Sequence, residues 1–264
     1  MPENTRIEAP PTEAPALAPA PEKRFLGLRI TPNMSRRLAN FSRNRRGFWS
    51  LWIFLGLFFI SLFAELTAND KPLLIRFDGG FYTPVFVDYQ ETVFGGEFLT
   101  EADYRDEFVI ELINAKGWMV WPPIRYSFDT INYDLKVPAP APPSAQNWLG
   151  TDDQGRDVVA RIIYGFRISV LFGLALTIIS AAVGVSIGAL QGFYGGLTDL
   201  LGQRFIEIWA GIPMLYLLII MASVITPNFW WLLSLMLMFS WMGFVGVVRA
   251  EFLKARNLDF VRAA

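Results

Sequence analysis

The stretch Trp148–Val170, WLGTDDQGRDVVARIIYGFRISV, decides the fold of this chain, because a polar loop leads directly into a long apolar run. Apolar residues after Gly155 recur at helical spacing and form one stripe, while Asp157 and Arg161 lie four residues apart on another face. The apolar run that follows is long enough to cross a bilayer. The stretch therefore predicts a helix that lies along a membrane interface and then turns into the bilayer.

The carboxylates of this loop do not fit a calcium site. An EF-hand loop needs oxygen ligands at its third, fifth and twelfth positions, and counting from Asp152 these hold Gln, Arg and Ile. Capping of the helix by Asp152 or Asp153, together with pairing of Asp157 with Arg161, explains the acids better. We therefore predict no metal site.

Composition favours a membrane protein over an enzyme. Of the 264 residues, 53% are hydrophobic and 18% charged, and the mean hydropathy is +0.35, which exceeds the needs of a soluble core of this size. The chain contains neither cysteine nor histidine, so disulfides, thiolate chemistry and the commonest general base are excluded. The formal net charge of −1 gives no indication of nucleic-acid binding.

The sequence divides into four parts. Residues 1–34 are rich in Pro, Ala and Glu and predict a disordered cytoplasmic tail. Residues 35–64 contain a basic flank with five arginines followed by the apolar run Gly47–Ala64, so the first span should leave the cytoplasm N-terminus first. Residues 65–154 form an acidic extracytoplasmic insert, and residues 155–264 form the membrane core, beginning with the interfacial helix.

Three further spans are predicted in the membrane core: Ser169–Leu190, Phe205–Ile225 and Phe229–Val248. Between Glu65 and Asp157 there are sixteen acidic and seven basic residues, the opposite of the flank before the first span. Short β-like segments are predicted in this insert at Pro72–Phe77, Phe81–Tyr89 and Trp118–Trp121, around a helical stretch near Glu101–Ala115.

Small residues recur at four-residue intervals in the second span, at Ser180, Gly184, Gly188 and Gly192. This spacing makes a groove that lets another helix approach closely. Helix packing is the favoured interpretation, and a lining role along a substrate path is the alternative.

Arg204 and Glu207 stand three residues apart in the third span, and Pro213 interrupts its hydrogen-bond ladder. A local ion pair between Arg204 and Glu207 is the favoured interpretation, while a direct role of Glu207 in a transport pathway remains open. Pro213 predicts a kink under either interpretation.

Eleven residues of the opening stretch follow the pattern LGTD-x-x-GRD, then a basic residue, then G-x-R-x-S. They are Leu149, Gly150, Thr151, Asp152, Gly155, Arg156, Asp157, Arg161, Gly165, Arg167 and Ser169. The pattern resembles the signature of permease subunits in dipeptide and oligopeptide ABC importers. Three sequence segments of the insert region, LTANDKPLL, GWMVWPPIRY and PPSAQNWLGTD, are similar to those of permeases in importers for microcin C and oligopeptides.

The last segment, Val248–Ala264, resembles the opening of the EAA loop by which such permeases dock onto their ATPases. The residues that carry this likeness are Asp259, Phe260, Val261, Arg262, Ala263 and Ala264, with Arg where the family often has Glu. A plain amphipathic tail is the alternative for this segment alone. The family pattern continues with a Gly and two further spans, so we expect the sequence to be C-terminally incomplete.

The resemblance implies an all-α polytopic membrane protein with the type I ABC importer permease fold, four of about six transmembrane helices, and a mixed extracytoplasmic insert between helices 1 and 2. It implies a multi-pass subunit of the bacterial inner membrane that forms half of a peptide-translocation pore. Its expected partners are a second permease subunit, two ATPase domains, a periplasmic peptide-binding protein, the peptide and the lipid bilayer.

No phosphate-binding loop occurs in the sequence, so ATP and Mg²⁺ are expected in the partner ATPase, and no cofactor is expected on this chain. A membrane-bound sensor with a ligand-binding outer loop is the alternative function. A secondary transporter ranks behind both, because Glu207 is the one intramembrane acid that it could use.

Overall fold

The computed structural model describes residues 24–25, 28–29, 32–226 and 228–258. The helices are α1 Pro32–Arg43, α2 Arg45–Leu62, α3 Ala64–Thr67, α4 Glu107–Lys116, α5 Val158–Tyr194, α6 Gly196–Ala210, α7 Met214–Val224, α8 Phe229–Ser240 and α9 Met242–Ala255. The strands are β1 Arg24–Phe25, β2 Leu28–Arg29, β3 Leu74–Phe77, β4 Gly80–Tyr82 and β5 Gly117–Val120. The chain divides into two compact units after Leu55.

The first unit contains a short antiparallel pair and the helical N-terminal flank. In the pair, Arg24 of β1 lies opposite Arg29 of β2. Helix α1 starts at Pro32, where a missing N–H is tolerated, and α2 follows after Asn44, whose Oδ1 accepts from the Gly47 amide at 3.3 Å. The predicted disordered tail, residues 1–34, lies largely outside the described residues.

The insert forms a small α+β subdomain within the second unit. Strands β4, β3 and β5 make an antiparallel sheet in that order, with Ile75 of β3 opposite both Tyr82 and Met119. Helix α4 begins after Asp106, whose carboxylate accepts from the Phe108 amide at 2.9 Å. The three predicted β segments are therefore present, although the second ends at Tyr82 instead of continuing as a strand to Tyr89.

An aromatic cluster holds the insert together. The buried side chains are Ile75, Phe77, Phe94, Ala102, Tyr104, Val109 and Ile113. Phe94 is 1% exposed and contacts four other rings edge-on, with centroid separations of 5.4–6.3 Å. Such edge-to-face packing is favourable beyond the burial of area alone, so the insert has a core independent of lipid.

Among the described residues, three helical segments are long and apolar enough to cross a membrane: Arg45–Leu62, Val158–Tyr194 and Phe229–Ala255. Helices α6 and α7 together qualify as a fourth, but they are bent by 60° at their junction. The kink predicted at Pro213 is therefore confirmed, and it is sharp enough to divide the third predicted span into two helices. Pro213 precedes α7 and lacks the N–H that would continue the ladder, which explains the break.

Helix α5 is continuous over 37 residues, which corresponds to about 55 Å. The hydrocarbon core of a bilayer is about 30 Å thick, so the helix extends well beyond it. The predicted turn into the bilayer is therefore absent, because the stretch from Val158 and the apolar run after it form one continuous helix. The position of its first turns at the interface stays a prediction, and these turns pack against the insert.

Candidate functional site

The signature loop is closed around the carboxylate of Asp152. Its Oδ1 accepts from the backbone amides of Gln154 and Arg156, both at 2.9 Å, and its Oδ2 accepts from Nε and NH2 of Arg156, both at 2.8 Å. The Arg161 guanidinium, one turn into α5, also donates to Oδ2. One carboxylate thus ties the loop to the start of the long helix.

These contacts determine how Asp152 ionises. Burial alone raises the pKa of Asp152, but the hydrogen bonds from Arg156 and Gln154 and the charge of Arg156 outweigh it and lower the pKa from 3.8 to about 2. The carboxylate is therefore ionised throughout the physiological range. Its contribution to stability is complete above its ordinary pKa and is lost as the pH falls towards 2.

Asp157 is the N-cap of α5, and its side chain does not form an ion pair with Arg161, whose guanidinium contacts Asp152 instead. It is 1% exposed, and its Oδ1 accepts from the Ala160 amide at 2.8 Å. Its Oδ2 accepts from Asn147 Nδ2 at 2.8 Å, and Asn147 Oδ1 in turn accepts from Asn132 Nδ2 at 3.0 Å. The predicted Asp157–Arg161 pair and the predicted capping by Asp152 or Asp153 are both wrong.

Two glycines of the signature occupy left-handed backbone positions, which explains their residue type. Gly150 has φ +77° and Gly155 has φ +82°. A Cβ on Gly150 would also lie 2.3 Å from the carbonyl oxygen of Ala141, so a larger residue does not fit there. Thr151 next to it accepts from the Ala141 amide at 2.9 Å through its hydroxyl.

The N-terminal turns of α5 also hold the insert to the membrane helices. The Tyr164 hydroxyl donates to the carbonyl of Ala68 at 3.0 Å, and NH1 of Arg167 contacts both Glu65 oxygens at 2.8 and 2.9 Å. The buried side chains that join the two parts are Ala64, Ala68, Ile124, Tyr126, Ala160 and Tyr164. The signature therefore forms the junction between insert and span.

The small residues of α5 face α9 at van der Waals distance. A Cβ on Gly184 would lie 2.4 Å from the Trp241 carbonyl oxygen, one on Gly188 would lie 2.8 Å from that of Val245, and one on Gly192 would lie 2.5 Å from Cβ of Phe252. Only glycine permits this approach of the two backbones. The geometry is that of helix packing, the interpretation favoured from sequence.

Polar contacts join α6 to its neighbours near its start. Arg249 of α9 forms a bidentate contact with the Asp199 carboxylate: its Nε donates to Oδ1, and its Nη2 donates to Oδ2 at 2.6 Å. Gln191, 4% exposed near the end of α5, accepts from Gln203 Nε2 at 2.7 Å. These contacts fix the first half of the bent pair against the α5–α9 scaffold.

Arg204 and Glu207 form the local ion pair expected from their spacing. NH1 of Arg204 lies 2.5 Å from Oε2 of Glu207, and the two side chains are 66% and 58% exposed. The Glu207 side chain is thus more than half exposed among the described residues, and its role in a pathway stays a prediction. Three residues later α6 ends at Ala210, and Pro213 directly precedes α7, the second helix of the bent pair.

The predicted ATPase-docking residues Asp259–Ala264 lie outside the described residues. Helix α9 ends at Ala255, so the described chain leads to within a few residues of that segment. The docking assignment stays a prediction.

Comparison with known proteins identifies the family. Residues 184–264 match the family described as the inner membrane component of binding-protein-dependent transport systems. The inner membrane ABC transporter permease protein YejE of Escherichia coli (strain K12) is 56% identical over 236 residues, which cover 89% of this chain and 69% of that relative. The chain belongs to this family of permeases. It is a multi-pass inner-membrane subunit of a transporter.

Other relatives of this permease carry related names. The peptidoglycan transport system permease protein YejE of Agrobacterium fabrum is 55% identical over 259 residues, covering 89% of the chain and 68% of the relative. The oligopeptide transport system permease protein OppC of Haemophilus influenzae is 31% identical over 157 residues, covering 60% and 49%. The type I permease fold expected from the signature agrees with this membership, and the sensor alternative has no support from it.

Four residues that hold the elements of this permease together were missed from sequence. Asn132 and Asn147 are buried beneath the signature, and Asp199 and Gln191 hold α6 to its neighbours. The signal available for Asn147 is its position one residue before Trp148, at the edge of the signature. No spacing rule links Asn132 or Asp199 to its partner.

Proposed function

We propose that this permease forms one half of a peptide-translocation pore in the inner membrane, with its N-terminus in the cytoplasm. A second permease subunit completes the pore, a periplasmic peptide-binding protein delivers the peptide, and two ATPase domains bind ATP and Mg²⁺ and drive transport. The observation that carries this proposal is the 56% identity to a permease across 89% of the chain, signature and insert included.

Peptides are the proposed cargo because of the names of the relatives. OppC is named for oligopeptide transport and the Agrobacterium protein for peptidoglycan transport. Fragments of peptidoglycan carry short peptide stems, so peptide chemistry is common to both names. The region between Glu65 and Asp157 contains sixteen acidic and seven basic residues, which suits an insert exposed to water on the periplasmic side.

The proposed mechanism is mechanical. Helix α9 runs from the bilayer to the vicinity of the docking segment, and it is packed without side-chain spacers against α5. Rigid-body motion imposed at the docking segment would pass along α9 to α5, and through the Asp199–Arg249 contact to α6. The break before Pro213 gives α7 a place to move relative to α6. Alternating access then needs no reactive side chain.

Cross-linking of single cysteines tests the partner assignment, because the chain has no cysteine of its own. Ala263→Cys lies in the predicted docking segment, and Ser223→Cys near the end of α7 is the control. We expect Ala263→Cys to cross-link to a co-purifying ATPase in an ATP-sensitive manner, with no such product from Ser223→Cys. Purification without any ATPase, or equal products from both sites, would contradict the proposal.

A further inference from the structure

A cavity of about 390 Å³ lies in the insert beside the signature loop. Its wall includes Arg105, Arg125, Tyr126, Trp121, Trp148 and Asp134. Its volume lies within the range of small-molecule sites, about 300–1,000 Å³. Aromatic rings and guanidinium groups converge on it, although the insert as a whole has a large excess of acidic residues.

Both guanidinium groups are held by aromatic rings. Cζ of Arg105 lies 4.7 Å from the ring centroid of Tyr126, and Cζ of Arg125 lies 5.4 Å from that of Trp121. Tyr126 is buried in the cluster that joins the insert to α5, so it is a rigid support. Stacking over a ring leaves the N–H groups at the guanidinium edge free to donate.

Neither arginine forms an ion pair within 4 Å among the residues that the structure describes, whereas Arg156, Arg161 and Arg167 of the same region all do. The one acid on the cavity wall, Asp134, is paired with neither of them. Formal charges therefore leave the wall with a net positive charge.

Asp103 and Asp106 on the neighbouring loop form no ion pair within 4 Å with either guanidinium group among the described residues. Asp103 and Asp106 accept from the backbone amides of Arg105 and Phe108, both at 2.9 Å. Both residues, together with Asp70, Asp129 and Asp134, line an adjacent cavity that Arg105 also borders. The two arginines are thus available for an acceptor from outside the chain.

We propose that this cavity binds the terminal carboxylate of a short peptide, with its last side chain against Trp121 and Trp148. A carboxylate accepts two parallel hydrogen bonds from a guanidinium, and two guanidinium groups offer it such contacts from both sides. The peptide nature of the ligand rests on the proposed function, while the carboxylate rests on the cavity alone. The insert then holds a peptide next to the signature, at the outer end of α5.

Calorimetric titration of the full chain in lipid nanodiscs tests this assignment. The probes are the tripeptide Ala-Leu-Phe with a free C-terminus and the same tripeptide as its C-terminal amide. We expect saturable binding of the free acid, with the amide weaker by about tenfold or more, since hydrogen bonds to a charged group are lost. Equal affinity for both, or no saturable binding at millimolar peptide, would overturn the proposal.

Three variants locate the site. Arg105→Gln and Arg125→Gln should each weaken binding of the free acid by about tenfold. Arg76→Gln is the matched control, because Arg76, like Arg125, is an exposed arginine over an aromatic ring, Phe81 at 5.9 Å, but it lies outside the cavity. Arg125 is exposed, so its substitution leaves the fold intact.

The outcomes separate this proposal from the proposed function. Unchanged binding in Arg105→Gln and Arg125→Gln, or an equal loss in Arg76→Gln, would overturn the cavity assignment. The same two variants could instead bind the peptide normally but fail to dock the binding protein. This result would assign the arginines to contact with an acidic protein surface, and it would also overturn the cavity assignment. Neither result bears on whether ATP drives uptake, so the proposed transport function would stand even if the cavity assignment were overturned.

Discussion

Removing the Asp157 carboxylate should open the junction between the insert and α5. Asp157 caps the helix through the Ala160 amide and is the acceptor for Asn147 Nδ2, both at 2.8 Å. Asp157→Ala deletes both acceptors while the two donors stay buried. Asp157→Asn should also be destabilising, because its amide nitrogen would face the amide nitrogen of Asn147.

The magnitude follows from these two contacts. Loss of an N-cap costs about 0.5–2 kcal/mol, and a buried amide left without its acceptor costs about 1–3 kcal/mol. We therefore expect Asp157→Ala to lower the local opening free energy by roughly 1.5–5 kcal/mol. At 1.36 kcal/mol per tenfold, this corresponds to roughly 10- to 5,000-fold faster exchange through local opening.

Hydrogen exchange of the Val158 amide is the assay, in nanodiscs at constant pH. That amide donates to the Gly150 carbonyl at 3.2 Å, so it reports the junction without using the Asp157 side chain. Asp153→Ala is the matched control, because Asp153 is the exposed acid of the same loop. Exchange in Asp157→Ala that is less than about threefold faster, or no faster than in Asp153→Ala, would refute the reasoning.

Three other expectations follow from the same structure. Gly188→Leu should separate α5 from α9 and lower the thermal midpoint of unfolding of the detergent-solubilised permease. Gly173→Leu should change this midpoint little, because a Cβ at Gly173 would have no atom within 4 Å, and equal shifts in the two variants would contradict the packing. Protection of the signature loop from proteolysis should persist above pH 4 and fall as the pH approaches 2, because the pKa of Asp152 is lowered to about 2. Asp152→Asn should remove this dependence of the protection on pH. Arg167→Gln should loosen the insert by only about 0.2–1 kcal/mol in urea titration, since Glu65 is partly exposed, and a loss of several kcal/mol would mean that this contact is not a surface pair.

Sequence reasoning found the parts of the fold that depend on local pattern. Apolar runs of the right length located the spans, and the spacing of Gly184, Gly188 and Gly192 predicted the close helix contact that the structure contains. Likewise, the arginine three residues before Glu207 predicted their ion pair. Each of these features is encoded by residues that lie close together in the sequence.

The errors arose where the helix start and distant partners decide the contacts. Pairing of Asp157 with Arg161 assumes that both lie inside one helix, but Asp157 is the N-cap, and Arg161 reaches back to Asp152 instead. The contact between Glu65 and Arg167 joins residues 102 positions apart, and no periodicity reveals it. The predicted turn at the membrane interface was wrong, because nothing in the sequence marks that α5 continues unbroken from Val158 to Tyr194.

Uptake of a labelled tripeptide into proteoliposomes containing the assembled complex tests the transport claim most directly. The complex comprises this permease, its partner permease, the ATPases and the binding protein, and two arms carry either ATP at the ATPase side or a proton gradient without nucleotide. We expect accumulation with ATP and none with the gradient alone. Accumulation driven by the gradient without ATP, or ATP-driven accumulation that is unchanged when this permease is left out, would contradict the account.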